Sequence, residues 1–218
     1  MMESTETYYE YNLKGKNAKQ IMREIYCLKK KIMTLKKTME RPDYVCLMAP
    51  GEDVQLWCTR LYLEKAKKAL AEVGGTYKPD TWEVKAAEFD ENIPHICKIE
   101  FSIGGYFNGY DILVYTIDGD NVYRSSKHYY RHIYTDMQTG KNIDLNAEEF
   151  FCGLAKLHIG EWNSVYDDND VLDGTQWDLK IHYSNGCEPV KFYGSNAYPY
   201  NFDKLLELVG CPCKYKLF

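Results

Sequence analysis

The stretch LDGTQWDLKIHYSNGCEPVKFYGSNAYPYNFDKLLEL, residues 172–208, decides the fold. Trp177, Leu179 and Ile181 alternate with Asp178, Lys180 and His182, the period-two pattern of a strand with one buried face. Ser184-Asn185-Gly186 interrupts the alternation and Val190-Lys191-Phe192 resumes it, so the two runs predict a β-hairpin. The turn residues Gly194, Asn196 and Pro199 follow, and Phe202, Leu205, Leu206 and Val209 recur at helical spacing behind Asn201. Two strands followed by a segregated helix point to an α+β domain with an antiparallel sheet.

Working outward, the same alternation governs residues from 93 onward. Cys97, Ile99, Phe101 and Ile103 alternate with Ile96, Lys98, Glu100 and Ser102, which predicts a strand. The turn-rich run from Gly104 to Gly109 joins it to an antiparallel partner over 112–117, and Asp118-Gly119-Asp120-Asn121 turns into a third, more polar strand over 122–134. Asn146 and Glu149 form a capping box for a helix carrying Phe150, Phe151, Leu154 and Leu157. Residues 161–170 read as an acidic loop.

Before this domain the period is that of a helix. Residues 1–11 are polar and read as a frayed end. Asn17 and Gln20 make a capping box, and Ile21, Ile25, Leu28, Ile32, Leu35 and Met39 follow at spacings of 4, 3, 4, 3 and 4. That seam predicts a helix of about 22 residues, stopped at Arg41-Pro42. Beyond Pro50-Gly51, Val54, Trp57, Cys58, Leu61, Ala66, Ala69, Leu70 and Val73 give a second helix a broad apolar side, and Gly74-Gly75 ends it. The two long helices predict an antiparallel hairpin. A third, shorter helix runs from Pro79 through Trp82, Ala86 and Phe89. The expected organisation is therefore a helical region over 1–92, an α+β sheet domain over 93–210, and a tail over 211–218.

Charge is unevenly spread. The chain carries a net −5, yet ten basic residues against Glu24 and Glu40 give residues 12–41 a net +8, while residues 1–11 carry −3. Residues 42–218 are left with −10, so a basic helix sits on an acidic body. Tyrosines number 20 against 8 phenylalanines, and a ring with a polar handle suits half-buried or binding surfaces as well as sheet edges. The 8 cysteines accompany no signal segment, so reduced thiols in a cytoplasmic protein are expected, with Cys27, Cys58, Cys97 and Cys152 on apolar faces. No apolar run reaches the length of a membrane span, so no membrane partner is expected.

Three stretches carry a resemblance. Phe101-Ser102-Ile103-Gly104-Gly105-Tyr106-Phe107, Leu172-Asp173-Gly174-Thr175-Gln176-Trp177 and Tyr193-Gly194-Ser195-Asn196-Ala197-Tyr198-Pro199 are similar to a pattern in uncharacterised bacterial proteins, in which an aromatic-flanked Gly-Gly turn precedes a D-G-T-x-W strand and a G-x-N-A-Y-P turn. The resemblance spans residues 12–209 and implies no activity.

Catalytic patterns are sparse. There is no phosphate-binding glycine loop, and Gly104-Gly105 lies between strands instead of opening a helix. No Ser or Cys stands in a nucleophile elbow. Asp80, Glu83 and Lys85 resemble the acid, acid-x-lysine set of metal-dependent nucleases but share one helix, whereas Asp178 and Lys180 lie on a strand behind Asp173. Cys211 and Cys213 with Cys187 and His182 offer soft ligands, yet only one short pair is present. His128 and His132 fall on one side of the predicted third strand. No cofactor, no metal and no catalytic residue is therefore assigned.

The expected function is a non-catalytic intracellular interaction module with an unidentified protein partner, using the helical hairpin and the Tyr-rich surface. Lys29, Lys30, Lys31, Lys36 and Lys37 are the candidate contacts to that partner or to nucleic acid; a merely solvated helix face is the competing reading. One alternative is a nucleic-acid or ribonucleoprotein binder, such as an anti-CRISPR-like inhibitor of a host nuclease carried by a phage or mobile element. Another is a metal-dependent hydrolase built on Asp173 and Asp178.

Overall fold

The structure is a computed structural model that describes residues 3–168, 170 and 174–211, with 136–145 described by backbone alone. It is of the α+β class and divides into two compact units at Pro79/Asp80.

The first unit is helical: α1 (Thr5–Asn12), α2 (Ala18–Met39) and α3 (Glu52–Glu72). The seam residues Ile21, Ile25, Leu28, Ile32 and Leu35 are buried and Met39 at the end of the seam is half-buried, and α2 packs on α3 as a hairpin joined by residues 40–51. Asn17 accepts the amide of Gln20 at 3.0 Å, and the Gln20 side chain accepts the amide of Asn17 at 3.0 Å. Asn17→Ala removes both halves of this box and is expected to cost about 1 kcal/mol, read as a lower thermal midpoint with an unchanged far-ultraviolet spectrum.

The N-terminal end expected to fray is instead the docked helix α1. Its Tyr8 ring stacks on Tyr62 of α3 with centroids 4.1 Å apart, and its hydroxyl donates to Glu24 of α2 at 2.5 Å. Burial and that carboxylate push the Tyr8 hydroxyl far above its ordinary range. Tyr62 in turn donates to the Glu3 carbonyl at 2.6 Å. Polar composition misled here because the Tyr8 hydroxyl and the Glu3 backbone find their partners on other helices.

The second unit holds α4 (Thr81–Asn92), β1 (Ile96–Gly105), β2 (Gly109–Asp118), β3 (Asn121–Tyr130), β4 (Ile133–Asn146), α5 (Ala147–Lys156), β5 (Val165–Asp167), β6 (Gln176–Tyr183), β7 (Val190–Ser195) and α6 (Phe202–Leu208). Among the described residues seven strands form one sheet in the order β4-β3-β2-β1-β6-β7-β5, antiparallel except where β5 runs parallel to β7. One face carries Ile99, Phe101, Ile103, Leu113, Tyr115, Trp177, Leu179, Ile181 and Phe192, and these pack with Phe150 and Leu154 of α5 and Phe202, Leu205 and Leu206 of α6 in one core.

Four expectations change. The helix α4 belongs with the sheet, not with the hairpin, because Phe89 enters the sheet's core and Gly160 approaches the backbone of Ala86 too closely for a side chain. The third strand ends at Tyr130, and a two-residue turn at Arg131-His132 starts the unexpected strand β4. The acidic loop contains β5, whose neighbours Ser164 and Asp168 bond the backbones of Tyr193 and Ser195 at 3.0 and 2.9 Å. Cys27 and Cys152 face outward instead of lying on apolar faces, while Cys58 is buried.

Asn201 stands at the start of α6 without capping it. Its side chain accepts from the Trp162 indole at 3.0 Å and donates to the Leu157 carbonyl at 2.7 Å, both buried. A polar side chain thereby satisfies two groups that the core would otherwise leave without partners.

Candidate functional site

The five lysines singled out on α2 do not share one environment. Lys29 is half-buried, donates to the Tyr77 hydroxyl at 3.0 Å and lies 5.5 Å from that ring's centre. Lys36 is also half-buried. Lys30, Lys31 and Lys37 are exposed, and Lys30 and Lys37 fall in line with the exposed Met22, Tyr26 and Met33 along one helical stripe. The outward stripe is thus basic and apolar together.

Helix α3 has two apolar sides where one was expected. Leu56, Cys58, Tyr62, Leu63, Ala66, Ala69 and Leu70 are buried, whereas Val54, Trp57, Leu61 and Val73 are exposed, Trp57 at 62%. Val54, Trp57 and Leu61 sit at i, i+3 and i+7, so they share a face. The segment leading into this end of the helix adds exposed Val45, Leu47 and Met48. Counting apolar residues could not show which of them turn outward.

In the second unit the sheet face opposite the helices holds one group of ionisable side chains. Glu100 and Ser102 of β1 lie opposite Lys180 and Asp178 of β6 in register, with Ile112 and Val114 of β2 alongside, around a shallow cleft of about 410 Å³. Lys98 bonds Glu100, His182 reaches it at 3.3 Å, and the Lys98 ammonium above all holds the Glu100 carboxyl below its ordinary range. Partial burial moves Asp178 the other way, up, against a weak 3.5 Å hydrogen bond from Ser102. These opposite shifts reflect an ion pair and a desolvated acid on one polar sheet face.

The remaining chemical candidates separate. Asp80 and Glu83 are engaged in the capping box of α4. Asp173 and Cys213 lie outside the described residues. Cys187 meets Asn92 at 3.4 Å while His182 faces Glu100. His128 and His132 do not share a strand face: His128 on β3 pairs with Asp111 at 2.6 Å, and His132 sits in the turn with its Nδ1 3.1 Å from the Tyr129 hydroxyl. Among the described residues no group of three His, Cys, Asp or Glu side chains could hold a metal ion, and no helix is long and apolar enough to cross a membrane.

The three stretches that carry the bacterial resemblance converge at one end of the sheet. Gly105 lies against the carbonyl of Gly174, a side chain at Gly174 would collide with Asn196, and one at Gly194 would stand 2.0 Å from the Trp177 indole nitrogen. Asn196 donates its amide to the Thr175 carbonyl at 2.9 Å and adopts a left-handed φ of 56°. The motifs therefore hold the sheet's backbone crossings. Comparison with protein-family models, curated proteins and solved structures finds no match.

Proposed function

We propose that this chain is a non-catalytic interaction module whose helical hairpin docks a protein partner. The observation that carries the reading is the outward stripe Val54-Trp57-Leu61 on α3, a row of large side chains left in water on a helix whose opposite side is already fully packed. Exposed apolar surface of this kind is costly unless something covers it, and tryptophan is the side chain most often found at the energetic centre of an interface. The basic stripe of Lys30 and Lys37 with Tyr26 and Met33 favours a partner that offers acidic residues around an apolar centre.

The test compares wild type, Trp57→Ala and a Lys30→Glu/Lys37→Glu variant by light scattering after size exclusion and by affinity capture from the source cell. Wild type is expected to leave the column with a partner, and Trp57→Ala to hold it about 30-fold more weakly, as for truncation of an interface anchor. The lysine variant should slow association and blunt its salt dependence. Wild type that elutes as a monomer and captures the same proteins as Trp57→Ala would sink the proposal.

A further inference from the structure

The sheet's hairpin tips form a second surface, built independently of the helices. The turn between β1 and β2 and the turn between β3 and β4 lie side by side because β2 and β3 pair along their whole length. Between them opens a cleft of about 490 Å³, walled by Tyr106, Phe107, Tyr129, Tyr130, Arg131 and His132. Tyr106 is 82% exposed and Phe107 66%, their rings edge to face at 5.3 Å. On the other wall Tyr129 packs on Tyr134 at 4.7 Å, and the Arg131 guanidinium lies 5.0 Å from the centre of the Tyr130 ring.

Two features need a ligand to make sense of them. Rings this exposed at a turn contribute little to the fold. Arg131 and His132 occupy the turn at φ 49° and 66°, a region that glycine enters freely and a long side chain such as arginine rarely does. A turn that keeps these two side chains against the backbone's preference spends stability to display a cation beside aromatic rings. Among the described residues no carboxylate pairs with Arg131, so its charge remains available to an anion. Exposed rings with a guanidinium beside them are the chemistry that holds unpaired bases and their phosphates. The volume suits a nucleotide, and the open rim suits a strand that enters and leaves.

We propose that this cleft binds single-stranded nucleic acid, with Tyr106 and Phe107 stacking on bases and Arg131 meeting the phosphate. This goes beyond the protein-docking role of the hairpin and moves any nucleic-acid contact away from the lysines of α2, along which Tyr26 is the lone aromatic of the exposed stripe.

The test is fluorescence anisotropy of a labelled oligothymidylate or oligouridylate of about ten nucleotides against the full chain at low and high salt. Wild type is expected to bind, more weakly as salt rises. Tyr106→Ala/Phe107→Ala should weaken binding about tenfold or more. Arg131→Gly should weaken it too and lower the salt slope by about one, while its thermal midpoint stays or rises because glycine accepts positive φ. The last readout separates lost contact from lost fold. Lys30→Glu/Lys37→Glu should bind as wild type does. No binding by wild type at low salt overturns the proposal. So does binding that both cleft variants retain, or equal competition by a mononucleotide at the same concentration, or loss confined to the lysine variant.

Discussion

Trp177→Ala is expected to lower the unfolding free energy of the sheet unit by about 4 kcal/mol, the largest effect of any single substitution discussed. The indole is fully buried on β6. It packs on Phe202 of α6 at 4.7 Å, on Tyr166 of β5 at 6.1 Å and on Trp162 at 6.3 Å, and its Nε1 donates to the Ala197 carbonyl at 3.0 Å. Truncation opens a cavity that α6 and β5 cannot close together, and leaves the Ala197 carbonyl without its donor. Since domains hold only about 5–15 kcal/mol in total, this one change consumes a large part. Gly194→Ala attacks the same contact from the opposite side, because its new Cβ would stand 2.0 Å from the indole nitrogen. Urea midpoints with an unchanged m-value would read both losses. A shift for Trp177→Ala equivalent to less than about 1 kcal/mol would mean that the ring is not the keystone of this core.

Local chemistry was legible in the sequence, and contact between distant segments was not. The seam from Ile21 to Leu35 and the boxes at Asn17 and Asn146 are decided within four residues, and all stand in the structure as read. So does the β6–β7 hairpin, whose alternation fixes which side chains enter the core. α1 was hidden because Tyr8 gains its burial from Tyr62 and Glu24. β4 was hidden because its turn uses Arg131-His132 where sequence rules expect glycine or asparagine. β5 is only three residues long and pairs in parallel with β7, a partnership no short pattern announces.

The candidate surfaces divide in the same way. The lysines of α2 could be found by charge alone, but not that Lys29 would be held by Tyr77. Trp57 could be placed on an apolar helix, but not on its outer side. The tip cleft was out of reach, since Tyr106 and Arg131 come together only through the pairing of β2 with β3. Its one local signal was the two non-glycine residues at a turn, and that signal exists only once the turn is seen.

His128→Ala is expected to cost about 3 kcal/mol, for a reason of hydrogen bonding more than of packing. Asp111 stands on the core side of β2, opposite Ile103 of β1 and His128 of β3, with its side chain 2% exposed. His128 Nδ1 and Asp111 Oδ1 share a hydrogen bond of 2.6 Å, and the imidazole itself remains 26% exposed. The histidine is therefore the edge at which a buried carboxylate meets a partner that can still reach water. Removing the ring takes away a short hydrogen bond to a buried carboxyl group. Asp111→Asn/His128→Ala should recover part of the loss, because it changes both partners of one hydrogen bond, so the two changes are expected to couple by about 1 kcal/mol or more in a double-mutant cycle. Additive losses would show instead that the pair contributes only through packing. The pair also lies directly beneath the tip cleft: His128 Nε2 is 3.1 Å from where a side chain at Gly109, in the cleft wall, would begin. Loosening it should let the β1–β2 and β3–β4 turns drift apart, so His128→Ala is expected to weaken oligonucleotide binding in proportion to its loss of stability, whereas Arg131→Gly weakens binding with none.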